Sequence, residues 1–109
     1  MAVQANVREL IAEIVNRIVA EYRPQKVVLF GSQAYGEPRE DRDIDLLIIK
    51  DTSDSQADRW MAVKRLLRNL TPNVAVTPLV YTQEEVDRRM ALKDFFLTEI
   101  LERGEVLYG

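Results

Sequence analysis

The sequence predicts an α/β (α+β) domain: a small mixed sheet with helices packed against it. Three observations carry this reading. The periodic segments run helix, strand, strand, helix, strand, helix, helix, strand. The connection between the first two strands is too short and too broken by glycine and proline to hold a crossover helix, so that pair is expected to be antiparallel. At 109 residues, 47% of them hydrophobic, the chain supports one core, and residues 1–109 read as a single domain with no room for a separate substrate domain.

Each element follows from local pattern. Val3, Val7, Leu10, Ile11, Ile14, Ile18 and Val19 recur at helical spacing among charged residues, an amphipathic first helix that ends before Pro24. Lys26 to Phe30 and Ile44 to Ile49 are short β-prone runs. Their connection starts with Gln33-Ala34-Tyr35, room for one helical turn, then breaks at Gly36 and Pro38 and stays polar. Asp51 to Ser55 is a polar turn with several candidate N-caps, and Ala57, Trp60, Met61, Leu67 and Leu70 mark a second helix, with Trp60 and Met61 expected in the core. Thr71-Pro72-Asn73 stops it.

Val74 to Tyr81 reads as a third strand in which Pro78 removes a ladder donor, implying an edge, a bulge or a break. Thr82-x-x-Glu85 is a capping-box pattern that opens a helix through Val86 and Met90. A last helix around residues 94–103 is expected to bury Phe95, Phe96, Ile100 and Leu101, with Gly104 as its C′ residue and Val106 to Tyr108 as a closing strand. No internal repeat, low-complexity tract or linker is visible.

Composition narrows the chemistry. With no cysteine and no histidine, thiol nucleophiles, disulfides, nitrogen–sulfur zinc sites and a histidine base are excluded. What remains is oxygen ligands and a hard cation. A net charge of −3 gives no overall basic footprint for nucleic acid, and Lys64, Arg65 and Arg68 on the second helix read as a solvated face. No leader and no apolar run of membrane-spanning length appears, so a soluble, cytoplasmic protein is expected.

The densest chemical signal is Gly31-Ser32, followed after ten intervening residues by Asp43-Ile44-Asp45 at the head of an apolar run. A Gly-Ser turn can offer backbone N–H groups to phosphate oxygens, and two carboxylates one residue apart on a strand point the same way and can share a divalent cation. Together they suggest a nucleoside triphosphate–metal site. Asp41 has the same parity as Asp43, but Asp43 and Asp45 sit nearer the rigid strand and are preferred.

Phe30-Gly31-Ser32-Gln33-Ala34-Tyr35-Gly36 followed by Asp43-Ile44-Asp45-Leu46-Leu47-Ile48 looks like the signature of the polymerase-beta-type nucleotidyltransferase superfamily. More narrowly it is similar to the minimal nucleotidyltransferases that pair with HEPN-domain proteins in prokaryotic toxin–antitoxin modules. The resemblance implies a polymerase-beta-like nucleotidyltransferase fold, with Gly31 and Ser32 on the triphosphate, and Asp43 and Asp45 as catalytic residues holding magnesium. It implies transfer of AMP from ATP to a hydroxyl, on a HEPN-type partner acting as toxin. A homo-oligomer is also compatible with so small a domain.

The family usually carries a third carboxylate on the later strand. The matching position here is near Thr77, and no Asp or Glu occurs from Thr71 to Thr82. Threonine is no base near neutral pH, so this departure bears on catalysis rather than on fold or nucleotide binding. The alternative reading is therefore a nucleotidyltransferase-fold binding module that inhibits its partner by contact alone.

Overall fold

A computed structural model describes residues 3–31, 33–34, 43–70 and 74–109, with side chains from Val7 onward. Its described elements are α1 (Val3–Tyr22), β1 (Lys26–Phe30), β2 (Ile44–Ile49), α2 (Gln56–Leu67), β3 (Val76–Tyr81), α3 (Gln83–Ala91), α4 (Phe95–Arg103) and β4 (Glu105–Tyr108). The strands form one sheet in the order β3-β2-β1-β4. β1 runs antiparallel to β2, as the short connection requires, and antiparallel to β4. β2 and β3 are parallel, with α2 making the crossover between them. The sheet is therefore mixed. No described helix is long and apolar enough to cross a membrane.

Alternation along the central strands sorts the core into two layers. Val27 and Leu29 of β1, Ile44, Leu46 and Ile48 of β2, and Val76 and Val80 of β3 meet Val7, Ile11, Ile14, Val15 and Ile18 of α1 and Val63 and Leu67 of α2. The opposite parity, Val28, Phe30, Leu47 and Ile49, is covered by Val86 of α3 and Leu97 and Ile100 of α4. Both faces are thus sealed, which is why β2 after Asp45 reads as a continuous apolar run. Each fully buried aliphatic side chain stabilises the fold by about 1.5–3 kcal/mol.

The exposed edge at β3 is closed by three devices. Ile44 N–H donates to Ala75 O and Lys50 N–H to Tyr81 O, so odd-numbered residues of β3 turn their polar groups to β2 and even-numbered ones turn theirs outward. Pro78 sits at an outward position, where its missing N–H breaks no ladder bond, and the expectation of an edge holds. The outward carbonyls of Val76 and Val80 accept from Lys64 Nζ (3.0 Å) and Arg59 Nη1 (3.3 Å) of α2.

Two core assignments from periodicity are corrected. Trp60 and Met61 are 45% and 40% exposed, because α2 buries the stripe Arg59, Val63 and Leu67 instead. Arg59 can lie inside because its guanidinium is bidentate on Glu85, at 2.7 and 3.3 Å, and donates to Asp54 O at 2.8 Å. Glu85 in turn accepts from Thr82 N–H at 2.9 Å, within the capping box read from sequence.

Phe95 and Phe96, likewise expected inside, are 82% and 56% exposed, while Leu97 and Ile100 are buried. The phase of α4 is set by its N-cap. Lys93 takes a left-handed φ of 59° to reverse the chain after α3, and Asp94 then accepts from Leu97 N–H at 3.1 Å. Gly104 caps α4 in an extended conformation rather than a left-handed one. Space requires the glycine there, since a Cβ would lie 2.6 Å from Val28 Cγ1 and 2.9 Å from Leu29 O. The stop at Thr71-Pro72-Asn73 lies outside the described residues.

Candidate active site

β1 delivers the chain to one end of the sheet, where β2 and β3 begin. At Phe30 the strand ends, and Gly31 adopts a φ of +78°, a conformation that disfavours every L side chain. The turn tightens as Ala34 N–H donates to Gly31 O at 3.1 Å. Across the ladder Phe30 pairs with Asp45. Directly opposed residues of an antiparallel pair point to the same face, so Asp45 lies on the α3/α4 side beside Phe30.

Gly31 and Asp45 are in close contact. A Cβ at Gly31 would be built into the Asp45 carboxylate, 3.2 Å from its Cγ and 3.5 Å from its Cβ. The glycine therefore serves two purposes: it permits the left-handed turn and it leaves the carboxylate its place. Asp45 is half-buried, and Asp43, also half-buried, stands one residue ahead of the strand. Ser32, Arg39, Arg42 and the acidic residues Glu37, Glu40 and Asp41 of the connection lie outside the described residues.

On the other side of β2, the parallel register sets Thr77 opposite Asp45. Thr77 is exposed, at the open end of the same face whose farther positions, Leu79 and Tyr81, pack on the core. The position that the resemblance matches to a third carboxylate thus stands in register with Asp45. Among the described residues no group of three or more His, Cys, Asp or Glu side chains gathers. Lys64 is committed to Val76 O and to the face of Trp60, 5.5 Å away, while Arg65 in the last turn of α2 and Arg68, its C-cap, are exposed, in keeping with a solvated face.

Periodicity did not point to the aromatic rim. Phe96 packs edge-to-face on Phe30, with centroids 5.9 Å apart and planes at 84°, so a half-exposed ring stands one side chain away from Asp45. Its helix start is firmly anchored. The Leu97 N–H, and beyond it Arg89, hold the Asp94 carboxyl below the usual carboxylate range. The signal for this lay in Asp94 itself: an N-cap there places Leu97 and Ile100, three residues apart, on one face.

Asp45 against the bare turn at Gly31, with Asp43 two residues before it, offers hard oxygen donors at the end of the sheet. That donor set suits a hard divalent cation such as magnesium and a polyphosphate, with Asp43 and Asp45 as the residues that could hold the ion.

Comparison with known proteins gives the family. The chain matches the family described as "Polymerase beta, Nucleotidyltransferase" over residues 12–109. It is 34% identical over 106 residues to a Methanocaldococcus jannaschii protein provisionally named a protein adenylyltransferase, covering 94% of this chain and 99% of that one. A crystal structure from Sulfolobus solfataricus, of a protein provisionally named a nucleotidyltransferase, is similar with a TM-score of 0.61 at 30% identity, over 78% of this chain and 75% of that one.

Proposed function

The chain belongs to the polymerase beta nucleotidyltransferase family, and on that footing we propose that it is a minimal nucleotidyltransferase that moves AMP from ATP to a hydroxyl on a protein partner. The observation that carries the site is the Gly31 turn seated against the Asp45 carboxylate. In the reaction an acceptor oxygen bonds to the α-phosphorus, the bond from that phosphorus to the bridging oxygen breaks, and pyrophosphate leaves. Gly31 lets the backbone approach the triphosphate, and Ser32 hydrogen-bonds one of its terminal phosphate oxygens. Asp43 and Asp45 hold magnesium, which when bound supplies charge stabilisation on the phosphate oxygens. Thr77 donates or accepts a hydrogen bond beside Asp45 but takes no proton from the acceptor.

The partner we propose is a HEPN-type toxin, with this chain as its antitoxin. The similarity to a protein named as a protein adenylyltransferase supports a protein acceptor. Thr77 favours a second reading, in which the fold and the triphosphate site remain but the partner is inhibited by contact alone.

One experiment separates the two. The chain is incubated with ATP, magnesium and a HEPN-type protein encoded beside it, and the partner's intact mass is measured. An added AMP that disappears in the Asp43→Asn/Asp45→Asn variant supports transfer. A stable complex with no added mass supports the binding module.

A further inference from the structure

We propose that the ring of Phe96 is the wall on which the base of the bound nucleotide stacks. This rests on the reading of Gly31, Asp43 and Asp45 as the phosphate end of the site. Nucleotidyl transfer puts the α-phosphate at the carboxylates, so the base must settle within one nucleoside of Asp45. A base leaving water gains most from a flat apolar partner. The structure supplies one along an unbroken chain of neighbours: Asp45 pairs with Phe30, and the Phe30 ring carries the Phe96 ring at 5.9 Å.

Phe96 is also prepared for the task. Its contact with the buried Phe30 and the N-cap at Asp94 fix where it stands, yet 56% of its surface is open. The other exposed aromatic rings among the described residues are badly placed. Trp60 projects from α2, which packs on the opposite face of the sheet, and Lys64 lies over it. Tyr108 pairs with Val27, toward the start of β1 and away from Gly31. Phe95, 82% exposed, has no ring contact among the described residues. Because every base has a π-face, such a wall holds purines with little discrimination, and the hydrogen bonds that choose between them come from elsewhere.

Calorimetric titration with magnesium–ATP, magnesium–GTP and magnesium–tripolyphosphate tests this, since the last ligand has phosphates and no base. Phe96→Ala should weaken ATP and GTP about 5- to 150-fold, the range that base–aromatic stacking commands. Tripolyphosphate affinity should be unchanged, which also shows that the variant is folded, and Phe96→Tyr should retain wild-type affinity for all three. Phe95→Ala should leave all three unchanged. Wild-type ATP affinity in Phe96→Ala, an equal loss for ATP and tripolyphosphate, or an equal loss in Phe95→Ala overturns the assignment. If tripolyphosphate binding survives Asp43→Asn/Asp45→Asn, the phosphate-end reading is what fails, and the base wall with it.

Discussion

Replacing Gly31 by alanine tests the site at its tightest point. The added methyl acts twice: it meets a backbone φ of +78° and it enters the space of the Asp45 carboxylate. Left-handed backbone costs an L residue about 1–2 kcal/mol. The lower entropy of the unfolded alanine chain returns about 0.4–1 kcal/mol of that. Asp45 can rotate away from the methyl, so the steric part shows mainly as displacement of the carboxylate, and the net destabilisation should be no more than about 1.6 kcal/mol. At about 4–8 °C per kcal/mol for a domain of this size, the melting temperature should fall by no more than about 13 °C. The functional loss should be larger, since a displaced carboxylate cannot share a cation with Asp43. Affinity for magnesium–tripolyphosphate should drop about 10- to 100-fold, the range seen when a group that orients a metal ligand is lost. Gly104→Ala is the control: its Cβ crowds Val28 and Leu29 with no left-handed backbone, so it should destabilise by about 1–3 kcal/mol yet leave affinity alone. A folded Gly31→Ala protein with wild-type affinity, or an equal affinity loss in Gly104→Ala, would refute the reasoning.

Two further perturbations read other parts of the structure. Thr77→Asp adds a carboxylate opposite Asp45; if the missing base limits the chemistry, single-turnover AMP transfer should accelerate by about 10²–10⁴-fold, and no gain in a folded variant would show that carboxylate to be dispensable. Glu85→Gln strands the buried Arg59 guanidinium and should cost about 2–3 kcal/mol in urea unfolding, below the usual range for a broken buried pair because the Glu85 side chain keeps 28% exposure. The same pair sets an acid limit. The hydrogen bond from Arg59, helped by the Thr82 N–H, holds the Glu85 carboxyl below its ordinary 4.5. Its contribution is therefore complete above pH 4.5 and is lost as pH falls through the lowered folded value, so melting temperatures should drop more steeply below pH 4.5 in wild type than in Glu85→Gln.

Much of this protein is local and was legible as such. The turn at Gly31, the strands around it, the antiparallel pairing of β1 with β2 and the Thr82–Glu85 capping box depend on neighbours in the chain, and short connections leave few alternatives. The nearness of Gly31 to Asp45 follows from that hairpin-like pairing, so the heart of the candidate site was readable from residue types and spacing. Thr77 was marked by the resemblance as the place of a third carboxylate, while its register opposite Asp45 came only with the parallel pairing of β2 and β3.

The faces of α2 and α4 were decided in three dimensions. Hydrophobic periodicity cannot choose between two stripes when one contains Trp60 and Met61 and the other contains Arg59, for the cost of burying a guanidinium depends on a carboxylate 26 residues away. Phe95 and Phe96 satisfy the same periodicity as Leu97 and Ile100, and the cap at Asp94 together with the left-handed Lys93 turned the aliphatic pair inward. The sequence by itself therefore marked Gly31, Asp43 and Asp45 as candidates for phosphate chemistry, since turn and strand geometry are short-range. Which side chains rim that chemistry was determined only when distant charges and helix phases met in the folded chain.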